Sequence, residues 1–116
     1  MINEIKDRYR IDLWSYEDFL AFALMYAALA DNELVEDEVD LIVKRVGVER
    51  EEMARKIMEK LSDSERIDLI LSFREKYFPT KADHEKLFND MKEIFMADGK
   101  YNQLEQFIMM YLRRIL

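Results

Sequence analysis

The sequence predicts an all-α, single-domain fold, and three observations support that prediction. The 116 residues include only two glycines and one proline, whereas sheet-rich folds need more of both for their tight turns. Leu, Met, Ala, Glu, Lys and Arg, which favour helices, are abundant. Apolar residues recur at helical spacing along most of the chain, without a convincing alternating run. We therefore expect one bundle of about six helices over residues 1–116.

The first strongly predicted helix begins after Ser15. Ser15 and Asp18 have the spacing of a capping box, in which each side chain accepts a hydrogen bond from the other residue's backbone amide. The helix is predicted over residues 16–30. Because it is apolar nearly all round, it should lie at the centre of the bundle. Residues 1–14 are expected to form an N-terminal extension that contains a short helix.

Two helices are predicted next, on either side of a glycine. The first spans residues 36–46, and Gly47 should end it because glycine readily adopts the positive φ that often follows a helix. The second spans residues 49–61, and Glu51 and Arg55 are expected to form an ion pair on its outer surface. Its predicted inward residues are Met53, Ile57 and Leu61.

Three more helices complete the predicted bundle. The fourth spans residues 62–77 and should end before Pro79, because the residue preceding a proline is disfavoured in helical geometry. The fifth begins at a cap formed by Thr80. The last is capped by Asn102, and its regular apolar stripe over residues 103–115 predicts a second central helix.

The charge balance restricts the classes of partner. The net charge is −7, which repels a phosphate backbone and argues against nucleic acid, but it suits cations or a basic protein surface. The chain lacks cysteine, which removes thiolate chemistry. Its N-terminus does not resemble a signal peptide, and the longest apolar run, residues 19–30, is too short for a transmembrane segment. We expect a cytoplasmic protein, with its oligomeric state left open.

An acidic turn occurs twice in the sequence. Ala-Asp-Asn-Glu-Leu-Val-Glu-Asp-Glu at 30–38 is echoed 67 residues later by Ala-Asp-Gly-Lys-Tyr-Asn-Gln-Leu-Glu at 97–105. Both copies follow an apolar helical segment and precede another, and each has an apolar residue at its fifth position. The matched acids are Asp31 with Asp98 and Glu38 with Glu105.

These two turns resemble the paired Ala-Asp-Gly-x-apolar-x-x-x-Glu turns of the TerB-like family, which includes tellurite-resistance TerB proteins and the N-terminal part of DjlA-type co-chaperones. The resemblance covers roughly residues 15–116. It implies an all-α fold with two pseudo-symmetric halves, a role in tellurite and other stress resistance, and metal chelation by the matched acids. Asn32 stands at a position where the family usually has glycine, and Lys100 at one where it often has an acid.

Three interpretations of the acidic turns remain open. Asp31 and Asp98 suit turn formation, because a short carboxylate after a helix can accept backbone amides of the turn. Carboxylates also coordinate hard cations such as Ca²⁺ and Mg²⁺, and the turns supply several of them. The third interpretation is a docking face for a protein partner. The candidate metal ligands are Asp31, Glu33, Glu38, Asp98 and Glu105, and the candidate docking residues are Glu33, Glu36 and Asp37. Met96, Met109 and Met110 offer an alternative, adaptable binding groove.

Sequence patterns exclude several specific sites. An EF-hand beginning at Asp31 would need glycine at its sixth position and glutamate at its twelfth, where the chain has Glu36 and Ile42. A dimetal site would need Glu-x-x-His, but Lys81 lies three residues before His84, the one histidine. No catalytic or cofactor-binding residues are predicted. We therefore expect a non-enzymatic interaction module in a bacterial stress-response system, or alternatively a divalent-cation chelator or sensor.

Overall fold

The structure is a computed structural model that describes residues 2–29, 36–77 and 79–96, together with Met110 and Arg113. Within these ranges a few residues are described by their backbone alone, namely Ile2, Glu36, Asp37, Glu38, Glu75 and residues 94–96.

All regular secondary structure in the described part of the chain is helical, which confirms the all-α prediction. The helices predicted before residue 97 are present, while the second acidic turn lies outside the described residues, so the two pseudo-symmetric halves stay a prediction. In chain order the elements are α1 (Ile2–Arg8), a 3-10 helix (Ile11–Leu13), α2 (Tyr16–Ala28), α3 (Glu36–Val46), α4 (Val48–Lys60), α5 (Asp63–Ser72), α6 (Arg74–Tyr77) and α7 (Lys81–Met96).

Helix α2 lies at the centre of the fold, as its sequence predicted. All ten of its residues from 19 to 28 are buried, and α3, α4, α5 and α7 pack around it. The predicted capping box starts the helix: the Ser15 amide donates to Asp18 Oδ2 over 3.0 Å, and the Asp18 amide donates to Ser15 Oγ over 3.4 Å. A helix buried on every side requires an apolar stripe from each neighbour.

Helices α3 and α4 meet at Gly47 within one residue of their predicted boundaries. Gly47 has φ 99° and ψ 156°, a conformation that is essentially restricted to glycine. Helix α4 packs on both α2 and α3. Its C-terminus is capped by Arg66 of α5, whose Nε and Nη2 donate to the carbonyl oxygen of Met58 over 3.0 and 2.6 Å.

The predicted position of Glu51 on the outer surface of α4 is wrong. Glu51 is buried, and it forms one stripe with Ala54 and Met58, three and seven residues further along the helix. Leu61, just beyond the helix, is buried as well. The ion pair with Arg55 exists, but it reaches from the interior towards the surface, because Glu51 is buried and Arg55 is partly exposed.

The helix predicted over residues 62–77 is divided at Phe73 into α5 and α6. The Ser72 hydroxyl donates to the Leu69 carbonyl over 2.6 Å, and the backbone at Phe73 leaves helical geometry, with φ −93° and ψ 1°. The Phe73 ring stacks on Trp14 with centroids 5.6 Å apart and packs against Phe19 at 5.4 Å. The break accompanies an aromatic cluster that joins residues distant in sequence, and the local helical pattern contains no sign of it.

The N-terminal extension packs against the rest of the core. Ile5 and Ile11 are buried in the same apolar cluster as α2. The carbonyl oxygen of Trp14 accepts hydrogen bonds from Lys76 Nζ, over 3.1 Å, and from the Tyr77 hydroxyl. Helix α6 therefore holds the entry to α2 in place.

Helix α7 begins at the predicted cap. The Asp83 amide donates to Thr80 Oγ1 over 3.3 Å, and the Thr80 amide donates to Asp83 Oδ2 over 3.2 Å. Arg113 pairs with Glu85 of α7 over 2.8 Å, and its guanidinium lies 4.8 Å from the ring centroid of Phe88. Met110 and Arg113 are helical, and the other residues of the predicted last helix lie outside the described residues.

The two serine capping boxes should make similar contributions to stability. We expect Ser15→Ala and Ser62→Ala each to lower the free energy of unfolding by about 1 kcal/mol, because each leaves a first-turn amide without its acceptor. The matched control is Ser64→Ala, an exposed position within α5, where alanine should be neutral or slightly stabilising. Urea melts measure all three, and a loss at Ser64 as large as that at Ser62 would contradict the capping explanation.

Candidate functional site

The sequence-predicted metal ligands lie largely outside the described part of the chain. Asp31, Glu33, Asp98 and Glu105 are not among the described residues, so the proposed coordination set stays a prediction. Among the side chains that the structure describes, no three acidic or histidine groups converge in a way that could hold a metal ion.

The other predicted site residues open α3. Glu36, Asp37 and Glu38 are its first three residues, which confirms the predicted start of this helix. Acidic residues are favourable there because unpaired amides give a helix N-terminus a partial positive charge. The last turn carries Lys44 and Arg45, which suit the opposite end of the helix dipole. Helix-terminal electrostatics therefore accounts for these acids without a bound ion.

An open cleft of about 470 Å³ lies where α3, α4 and the start of α2 meet. Arg50 crosses it: its Nε donates to Asp18 Oδ1 over 2.9 Å, and its Nη1 donates to the Val46 carbonyl over 3.2 Å. One guanidinium thus ties the first turn of α2 to the last turn of α3. The residues that line the cleft are Asp18, Val46, Gly47, Val48, Glu49, Arg50 and Met53.

Asp18 is the most extensively bonded carboxylate in this cleft. Burial alone would raise the pKa of Asp18, but hydrogen bonds from the Ser15 amide and hydroxyl and from Arg50 outweigh burial and hold the pKa below its usual value. A second ion pair, between Glu17 and Arg45 at 2.7 Å, reinforces the contact between α2 and α3. These charges are engaged in joining helices, which is a structural role.

Glu51 is a buried carboxylate that sequence reasoning missed. Its side chain is 1% exposed, Oε2 accepts a hydrogen bond from Arg55 Nη2 over 3.1 Å, and Oε1 has no hydrogen-bond donor. Burial raises the pKa of Glu51 above its usual value, while Arg55 partly offsets that rise and the nearby Glu52 adds to it. The spacing of Glu51 from Ala54 and Met58 was the signal that could have revealed its burial.

Tyr16 links α2 to α7 and stays in its neutral form. Its hydroxyl donates to Asp90 Oδ2 over 2.8 Å, and Lys86 Nζ lies 4.4 Å from its ring centroid. Burial and the neighbouring Asp90 carboxylate raise the pKa of Tyr16 far above its usual value. A phenol held neutral in this way does not serve as a general base near neutral pH.

The methionine groove proposed from the sequence is described at one position. Met110 is 65% exposed, so this side chain is accessible, whereas nothing is described of the side chains of Met96 and Met109. The hypothesis of an adaptable apolar groove stays a prediction.

No family model, curated protein or solved structure matches this chain. The resemblance to the TerB-like family therefore rests on the two acidic turns and stays a prediction. None of the helices within the described ranges has the length and apolar character needed to cross a membrane.

The hydrogen bonds of Asp18 should give the protein a measurable pH dependence. Because the pKa of Asp18 is depressed in the folded state, its contribution is present above the unfolded-state pKa of about 4 and is lost as the pH falls through the folded-state value. We expect Asp18→Asn to lower the free energy of unfolding by about 1–2 kcal/mol at pH 7. At low pH the free energies of the variant and the parent protein should become equal.

Asp68→Asn is the matched control, since Asp68 is an exposed acid on α5. Urea melts at several pH values from 2 to 7 compare the three proteins. If the loss of stability in Asp18→Asn stayed constant down to pH 2, the ionised carboxylate of Asp18 would not be the source of the stabilisation.

Proposed function

We propose that the protein is a non-enzymatic interaction module of the TerB-like kind, which acts in a bacterial stress response and docks a basic protein partner through Glu33, Glu36 and Asp37. The observation that carries this proposal is the run of acids at the start of α3 in a chain of net charge −7. We call Glu33, Glu36 and Asp37 the acidic face.

The packing of α3 supports an accessible acidic face. Ile42 and Val46, four residues apart, are buried towards the core, while Asp40 is exposed. Asp37 precedes Asp40 by three residues, a separation that places two positions on the same side of a helix. By its position in the helix, Asp37 therefore shares a side of α3 with the exposed Asp40.

The polar groups of the described core favour binding over catalysis. Asp18 and Arg50 bond to each other at the junction of three helices, and Tyr16 bonds to Asp90 between α2 and α7. Burial and the Asp90 carboxylate raise the pKa of Tyr16, while the hydrogen bonds from Ser15 and Arg50 outweigh burial and lower the pKa of Asp18. An acidic surface on a rigid helical support can instead steer an oppositely charged partner and raise its association rate.

Cation chelation is the second candidate function, and the recurrence of the acidic turn favours it. The same pair of acids, seven residues apart, occurs as Asp31 with Glu38 and again as Asp98 with Glu105. Oxygen ligands from carboxylates suit Ca²⁺ and Mg²⁺. Chelation predicts that divalent metal raises the stability of the protein, whereas docking predicts that metal leaves the stability unchanged.

The docking proposal predicts that charge at the acidic face, rather than the net charge of the protein, sets the association rate of a basic partner. Glu33→Gln combined with Asp37→Asn should slow the association of a lysine-rich peptide several-fold at low salt, because electrostatic steering depends on charge near the contact. The matched control is Glu52→Gln combined with Glu59→Gln, which removes the same charge from exposed positions on α4. Surface plasmon resonance at low and at physiological salt measures both rates.

The two double variants separate the acidic face from bulk charge. The difference between them should shrink as salt rises, because the screening length falls to about 8 Å at physiological ionic strength. Equal slowing in both variants would assign the effect to net charge and would contradict a specific face.

The docking proposal also predicts that divalent metal leaves stability unchanged. Thermal melts of the parent protein with and without millimolar Ca²⁺, Mg²⁺ or Zn²⁺ should coincide. A ligand present at 100 times its dissociation constant would add about 2.7 kcal/mol to the free energy of unfolding. A rise in melting temperature that is lost in Asp31→Ala, or in the Glu33 and Asp37 double variant, would establish the turn as a cation site.

A further inference from the structure

Glu51 is the one glutamate in the described part of the chain that is fully buried, and half of its carboxylate has no partner. Oε2 accepts from Arg55, whose side chain is 39% exposed, and Oε1 accepts nothing. Its neighbours along the stripe, Ala54 and Met58, are wholly buried. A carboxylate in such a place has lost its water without a full replacement, which is costly for the charged form.

The surrounding charges do little to stabilise ionised Glu51. On α4 itself, Arg55 attracts it and Glu52 repels it. The charged groups described on α2, Glu17 and Asp18, are paired with Arg45 of α3 and Arg50 of α4. The remaining described ionisable groups on the helices packed against α4 are Tyr16 and Tyr26 on α2 and Asp40 and Lys44 on α3, and none of them is among the charges that act on Glu51.

The attraction of Arg55 is too weak to balance the burial of Glu51. An ion pair with a partner that is partly in water is screened and typically contributes little. The loss of hydration at a buried carboxylate is larger, and here it is uncompensated at Oε1. The protonated carboxyl fits the same place better, since it carries no charge and its Oε2 can still accept from Arg55.

We propose that Glu51 is a proton-controlled switch between α4 and the helices on which it packs, α2 and α3. With its carboxyl protonated, the first half of α4 packs closely on α2, as in the described structure. With the carboxyl ionised, that half of α4 separates from the core far enough for water to reach Oε1. The switch responds to pH in the range above the ordinary pKa of glutamate.

The sign of the effect follows from linkage. A carboxyl that binds its proton more tightly in the folded state has no destabilising effect below the unfolded-state pKa of about 4.3. The destabilisation grows as the pH rises above that value and is complete above the folded-state pKa. Helix α4 should therefore open more readily as the pH increases, which is opposite to the effect of Asp18.

Amide hydrogen exchange tests the switch at the level of single helices. The measured quantity is the protection factor, which corrects for the intrinsic pH dependence of exchange. It is compared over residues 51–54, in the first half of α4, with residues 67–70 of α5 as internal reference. In the parent protein we expect protection in α4 to fall several-fold relative to α5 between pH 5 and pH 8, because the folded state disfavours the ionised carboxylate of Glu51.

The matched variants are Glu51→Gln and Glu52→Gln, adjacent positions that are buried and exposed, respectively. Glu51→Gln should abolish the pH dependence and keep the protection that the parent shows at the acid end of the range, because glutamine is neutral at every pH. Glu52→Gln should keep the pH dependence. Arg55→Gln should shift the fall in protection to higher pH, because it removes the charge that favours ionised Glu51.

Other results would overturn the switch. Constant protection of α4 in the parent protein from pH 5 to pH 8 would contradict it directly. Reduced protection in Glu51→Gln at every pH, or a failure of this variant to fold, would show that the charged carboxylate is a structural partner of Arg55. An unchanged pH dependence in Glu51→Gln would assign the titration to another group.

Discussion

The complete burial of α2 is the constraint on which the rest of the structure depends. Its ten consecutive buried residues cannot be covered by one neighbour, so α3, α4, α5 and α7 each contribute an apolar stripe. Polar groups are consequently confined to the ends of α2, where the capping box of Ser15 and Asp18 begins the helix. Helix α4 packs on both α2 and α3, and its buried residues include Glu51.

Long basic side chains join the helices around this centre. Arg50 connects α4 with α2 and α3, Arg66 of α5 caps α4, and Lys76 of α6 holds the carbonyl of Trp14 before α2. Each donates to a carboxylate or to a backbone carbonyl near a helix terminus, where acceptors would otherwise lack partners. Several of the 18 basic residues thus have architectural roles, and the 25 acidic residues outnumber the basic ones and give the chain its net charge of −7.

The acids of this protein therefore fall into groups with different physical roles. Asp18 is stabilised in its ionised form by the bonds that build a helix cap, whereas Glu51 is destabilised in that form by burial. The acids that open α3 interact favourably with its helix dipole and are the basis of the proposed docking face. Because burial and hydrogen bonding set these roles, carboxylates of the same chemical type can support the fold, respond to pH or attract a partner.

The sequence by itself determined the helical class and most helix boundaries, because caps, glycine and proline act within a few residues. The structure has helix boundaries at the positions predicted from four such residues, namely Ser15, Gly47, Pro79 and Thr80. Only the tertiary structure decided the break at Phe73 and the burial of Glu51. Both involve packing between parts of the chain that are distant in sequence: Phe73 stacks on the ring of Trp14, and Glu51 is buried on a helix that packs against α2 and α3. The sequence identifies each acidic residue, but tertiary packing determines whether its side chain is exposed to water or buried in the core.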